Sequence, residues 1–138
     1  MKLEIISKTA DMERLIVTSV LTTTSGKKPS RLFNELETNP NKVKKILRKL
    51  EVQHGSVLDH NILCMHLYGR ESEVLDILLK SSYFSITKIE NDEWIISSNL
   101  RTIIRYIQNY DDEFSRKLYD IVKTVTPNIN LNVARRTL

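Results

Sequence analysis

The stretch SYFSITKIENDEWIIS, residues 82–97, decides the fold class. Two runs rich in β-branched and aromatic residues, SYFSITKIE and EWIIS, are separated only by Asn91 and Asp92. Asn and Asp tolerate the backbone of a tight turn, so the runs are expected to pair as an antiparallel hairpin. Immediately before it, Glu71–Leu79 places Val74, Leu75, Leu78 and Leu79 on one side of a helix. Further upstream, HNILCMHLY (His60–Tyr68) has the length and flanks of a buried strand. Downstream, Ser98 or Asn99 can cap a helix that turns Ile103, Ile104 and Ile107 inward. A last helix is expected from Asp111, with acidic residues in the first turn where the helix dipole favours them. Phe114, Leu118, Ile121 and Val122 form its stripe, and Pro127 ends it.

The N-terminal half reads in the same way. Residues 2–7, KLEIIS, alternate polar and apolar, as in a short strand. Asp11 is the expected N-cap of a helix to about Leu21, with Met12, Leu15, Ile16 and Val20 inward. TTTSGKKPS (Thr22–Ser30) is expected to be loop. A short helix around Arg31–Leu36 follows. Asn39-Pro40-Asn41 then opens a helix from Lys42 to about Gln53, striped by Val43, Ile46, Leu47 and Leu50. Lys42, Lys44, Lys45, Arg48 and Lys49 cover its remaining surface. The tail NINLNVARRTL has no clear period. No internal repeat and no splitting linker is visible. The expectation is one α+β domain over residues 1–138: a small, mostly antiparallel sheet with several amphipathic helices.

Composition narrows the function classes. A chain of 138 residues with 41% hydrophobic and 28% charged residues suits a globular protein. Gly 3 and Pro 3 exclude collagen-like and low-complexity classes, and the single cysteine, Cys64, excludes a disulfide scaffold. No apolar run approaches the ~20 residues of a membrane helix. The start, MKLEIISKTADMERL, shows no signal-peptide core. A soluble, cytoplasmic protein without a membrane partner is expected. The net charge of +4 permits anionic partners, nucleotide or nucleic acid, without requiring them.

The chemistry-bearing residues form no strong pattern on their own. His54, His60 and His66 stand six apart, and even spacing on a strand puts His60, Cys64 and His66 on one face. Such ligands make a poor zinc signature, and CxxC and HExxH are absent, so no metal is expected. Cys64 reads as an inert buried thiol. There is no GxSxG, P-loop or GxGxxG. The basic Lys42–Lys49 face can grip phosphates or simply face water.

A family likeness enters at HGSVLDH, His54–His60, followed by an apolar strand. This resembles the flavin-dependent thymidylate synthase family, ThyX, where a similar two-histidine turn precedes a strand. The second histidine there contacts the flavin, which implies this role for His60. MKLEIISKTADMERLIVTSV, residues 1–20, is similar to the family's opening strand and helix. EWIISSNLRTIIRYI, Glu93–Ile107, is similar to its strand-to-helix junction with Asn-x-Arg, implying flavin-side roles for Asn99 and Arg101. The family signature, Arg-His-Arg-x-x-Ser-x-Asn-Glu-x-Ser-x-Arg, falls on KSSYFSITKIEND, residues 80–92. Lys80 takes the place of the first Arg, and Ser85 matches the first Ser. Ser81, Ser82, Thr87, Lys88, Glu90 and Asp92 replace the other named residues. The implied cofactor-binding set is therefore His60, Lys80, Ser85, Asn99 and Arg101.

The departures shape the functional expectation. Guanidinium forks that grip phosphates bidentately are lost, and acidic residues stand among their replacements. The resemblance then implies a divergent, shortened member, inactive as a thymidylate synthase and acting as a binding or assembly subunit. FAD is the cofactor the family implies, and the expectation is that it is not retained. The family's tetramers, with flavin sites between subunits, imply a homo-oligomer, dimer or tetramer. One alternative is a flavin- or nucleotide-binding protein that still converts dUMP to dTMP. Another is a nucleic-acid-binding or regulatory subunit using the Lys42–Lys49 face and Arg135-Arg136.

Overall fold

The computed structural model describes residues 1–50 and 55–131. In chain order the elements are β1 (Lys2–Lys8), α1 (Met12–Ser25), α2 (Pro29–Glu37) and α3 (Pro40–Lys49). A 3-10 turn (Gly55–Leu58) leads to β2 (Ile62–Tyr68) and α4 (Glu71–Lys80). Then come β3 (Ser85–Glu90), β4 (Glu93–Asn99), α5 (Leu100–Asn109) and α6 (Glu113–Val125). The strands form one antiparallel sheet in the order β1-β2-β4-β3. The expected α+β class, antiparallel sheet and amphipathic helices are all observed.

Strand alternation sorts the two faces of the sheet. Leu63, Met65 and Leu67 of β2 are fully buried, and so is Ile96 of β4. Across the ladder Leu67 faces Trp94, Met65 faces Ile96 and Leu63 faces Ser98. These residues share one core with Ile16 of α1, Leu47 of α3, Ile77 of α4, Ile103 of α5 and Leu118 of α6. The Trp94 indole donates to the Gly69 carbonyl at 2.9 Å, so its polar edge is satisfied inside that core. Cys64, His66 and Tyr68 take the opposite face and are only half-buried.

The hairpin forms as its turn residues suggest, with Asp92 at φ 60 in the left-handed region. Its first strand begins later than expected, at Ser85. Phe84 leaves the ladder for the core, where it meets Tyr106 and Phe114 edge-on at 5.9 and 5.5 Å. Helix α1 runs through Thr22–Thr24, expected to be loop. Their hydroxyls donate back to the carbonyls of Thr18, Val20 and Leu21, which accommodates them in the last turn. Gly26 at φ 71 then closes the helix. Asp11 sits at the N-cap position, but its carboxylate pairs with Arg14 at 2.8 Å instead of capping an amide.

Helix α2 begins at Pro29, a residue suited to the first helical position. Helix α3 begins at Pro40, with the Asn39 side chain accepting from the Lys42 amide at 3.3 Å. It ends at Lys49, short of the expected Gln53, because Leu50 already takes extended backbone at φ −68 and ψ 126; residues 51–53 lie outside the described residues. Helix α4 turns a different face inward from the one expected. Val74 and Ile77 are buried, whereas Leu75, Leu78 and Leu79 are 56%, 43% and 79% exposed. Lys80 lies three residues after Ile77, on the same side of the helix. Its ammonium is bound to Asp112 at 2.8 Å, a contact compatible with the Ile77 row facing inward. Beyond α6, Ile129 and Leu131 are buried, and Asn128 is held by the Glu13 carboxylate.

Candidate functional site

A pocket of about 480 Å³ opens where the end of α4 and the Ser81–Tyr83 loop meet α5. Helix α5 is built to present it. The Asn99 side chain caps the helix by accepting from the Thr102 amide at 2.9 Å. Leu100, Ile103, Ile104 and Ile107 then turn to the core. Arg101 and Arg105, one turn apart, both line the pocket, as do Thr102 and Tyr106.

Arg101 is held from two sides. Its Nη1 donates to Asp59 Oδ2 at 3.4 Å. Its Nε is buried and has no hydrogen-bond partner among the described residues, nor has Asp59 Oδ1. Gly55 makes room for the side chain: a Cβ there would stand 2.6 Å from Arg101 Nε. Arg105 is exposed and has no ion pair among the described residues.

Lys80 differs in kind from these arginines. Its ammonium donates to Asp76 Oδ2 and Asp112 Oδ2, both at 2.8 Å. The hydrogen bonds to Asp112 and Asp76 raise its pKa to about 12. Asp112 also accepts from the Tyr106 hydroxyl at 2.6 Å and from the Ser115 amide at 2.7 Å. Burial pushes the Asp112 carboxyl up, but the bonds from Lys80, Tyr106 and Ser115 outweigh it and hold the group below the usual range. Burial, then the Asp112 bond, pushes the Tyr106 hydroxyl well above its ordinary value. Tyr110 donates to the Lys80 carbonyl at 3.1 Å and closes the wall.

The lining therefore carries three cations against one carboxylate, Asp59. One of the cations is already matched by Asp76 and Asp112. Arg101 shares Asp59 and Arg105 stays open on the same helix face, with the half-hidden Tyr110 and the 76% exposed Tyr83 as flat neighbours. No histidine or cysteine is in this described lining. Such a constellation binds and orients an anion, since guanidinium groups match planar and phosphate oxygens.

The structure brings Lys80, Asn99 and Arg101 together in this pocket. His60 is exposed at the end of the 3-10 turn, and its neighbour Asp59 lines the pocket in its place. Ser85 is exposed on β3, paired with Ser97, and the preceding Ser81 and Ser82 line the pocket instead. Sequence reading missed Arg105, Asp59 and Tyr83. The four-residue step from Arg101 to Arg105 behind a capping Asn99 was the available signal for the first. Cys64 and His66 share the outer sheet face, where His66 stacks on Tyr68 at 4.1 Å and approaches Glu93 at 3.3 Å. Among the described residues no group of three His, Cys, Asp or Glu can hold a metal ion. His54 lies outside the described residues. No described helix is long and apolar enough to cross a membrane.

No protein-family model and no curated protein matches the sequence. Solved structures do match the fold. The crystal structure of the flavin-dependent thymidylate synthase ThyX from Helicobacter pylori, complexed with FAD and dUMP, aligns with a TM-score of 0.56. The match covers 94% of this chain and 94% of that chain at 10% identity. A second Helicobacter pylori ThyX structure with FAD and dUMP aligns with the same score and coverage at 9% identity. At such identity the likeness is one of architecture: this chain has the fold of the flavin-dependent thymidylate synthases.

Proposed function

We propose that the chain, as one ThyX-like domain over residues 1–138, is a divergent binding or assembly subunit. It takes up a phosphate-bearing ligand with a flat ring, of the pyrimidine-nucleotide class, and does not convert dUMP to dTMP. The carrying observation is the pair Arg101 and Arg105 on one face of α5 beside a pocket whose third cation, Lys80, is matched by two carboxylates. A volume of about 480 Å³ lies within the ordinary range for small-ligand sites. The solved structures of this fold hold FAD and dUMP, which sets the ligand class to be tried first.

In this reading Asn99 shapes the start of α5, Arg101 and Arg105 face the phosphate, and Tyr83 lies against the ring. Lys80 closes the wall. His60 and Ser85 have no part. The loss of bidentate cations at Ser82 and Asp92 is the reason for reading FAD as not retained and turnover as lost. The chain is read as a cytoplasmic homo-oligomer, dimer or tetramer. Exposed Leu75, Leu78 and Leu79 of α4 supply apolar area for such contacts.

The test is calorimetric titration of the purified protein with dUMP and with FAD, beside a visible spectrum and a light-scattering mass. A nucleotide is expected to bind, and Arg105→Ala to weaken it about tenfold or more, as expected for a charge-assisted hydrogen bond. A mass of at least two chains is expected. Absence of dUMP binding overturns the binding reading, and a yellow protein or FAD binding overturns the loss of the flavin. Production of dTMP from dUMP with flavin and a folate donor overturns the inactivity.

A further inference from the structure

Helix α3 carries a surface that the pocket does not explain. Lys42, Lys44, Lys45, Arg48 and Lys49 are all exposed, and the helix contains no acidic residue. None of the five has an ion pair among the described residues. Elsewhere cations do find partners: Arg31 pairs with Glu35 at 3.0 Å, Lys80 with Asp76 at 2.8 Å, and Arg116 with Asp111 at 3.5 Å.

This arrangement has a local cost. Lys44/Arg48 and Lys45/Lys49 are like charges at i,i+4, each such pair destabilising a helix by a few tenths of a kcal/mol. Lys42 stands in the first turn, where the helix dipole opposes a cation. An external polyanion would relieve both costs.

We propose that the exposed face of α3 binds the phosphate backbone of double-stranded nucleic acid without reading its sequence. Lys42 to Lys49 span about 10 Å along the helix axis. A duplex offers about six phosphates over that length, and α3 presents five cations. Val43 and Leu47 are buried and Ile46 and Leu50 half-buried, so no fully exposed apolar side chain is free to enter a lipid surface. The helix has no aromatic residue on which unpaired bases could stack, which favours a duplex over a single strand.

The test is fluorescence anisotropy of the full chain with a labelled 20-base-pair DNA duplex and an RNA duplex of matching sequence, titrated across salt. Four to five phosphate contacts predict a log–log slope of about −4, so affinity falls by about two orders of magnitude between 50 and 200 mM salt. The triple variant Lys42→Gln, Lys45→Gln, Lys49→Gln is expected to keep its circular dichroism and to lose nearly three units of that slope. Arg105→Ala is expected to bind the duplex as the parent does, which separates this surface from the pocket. Salt-independent binding, no binding at 50 mM salt, or an unchanged slope in the triple variant overturns the proposal. So does tighter binding to the single strand, or to vesicles of phosphatidylserine and phosphatidylcholine.

Discussion

Asp112→Ala is expected to lower the unfolding free energy by about 3 kcal/mol, read as a lower midpoint in urea. Three losses combine. The Ser115 amide, held at 2.7 Å, loses its cap, and N-cap removal costs about 1 kcal/mol. The Tyr106 hydroxyl, on a residue only 2% exposed, loses its acceptor, and an unmet buried donor costs about 1–3 kcal/mol. Lys80 loses one of its two carboxylates, but it keeps contact with water and contributes little. Asp112→Asn retains an acceptor for the Ser115 amide, but its NH2 replaces the oxygen that accepts from Tyr106 and Lys80, and about 2 kcal/mol is expected. A stability for Asp112→Ala within about 0.5 kcal/mol of the parent would show that the network holds nothing together.

The same network predicts a pH profile. Asp112 has a depressed folded pKa, so its contribution is present above the unfolded value of 3.8 and is lost as pH falls through the lower folded value. Lys80 has a raised folded pKa, so its contribution is present below the unfolded 10.5 and is lost as pH rises through about 12. Urea midpoints for the parent and Asp112→Asn should therefore draw together only as pH falls from 3.8 through the lower folded value of Asp112. Midpoints that stay as far apart there as at pH 7 would separate the Asp112 charge from its structural role.

The second large effect compares two neighbours on α4. Ile77→Ala is expected to cost about 3 kcal/mol, because the side chain is 1% exposed and its removal leaves a cavity. Leu79→Ala, 79% exposed, is expected to stay within about 0.5 kcal/mol. Sequence periodicity ranks these positions the other way, placing Leu79 on the stripe and passing over Ile77. Equal costs for the two, measured in urea, would mean that α4 does not bury the Ile77 side.

The local features needed nothing beyond neighbouring residues. Asn91-Asp92 between two β-rich runs makes the hairpin, because a left-handed turn is available within two residues. Asn99 starts α5 through a bond to an amide three residues away. The basic arc of α3 follows from helical spacing alone. These contacts bring together residues that are adjacent in the chain, and their chemistry is visible in a short window.

The pocket's electrostatics depended on distant chain segments. Lys80 meets Asp112 across 32 residues, and Arg101 meets Asp59 across 42. A cation that reads as available in the chain is matched once folded, while Arg105 stays open. Strand order has the same origin, since β2 lies between β1 and β4 only after Met65 has paired with both Ile5 and Ile96. Periodicity marks which residues prefer to leave water. Where a short helix has apolar residues on two sides, as α4 does, only packing against the rest of the fold selects the side that is buried.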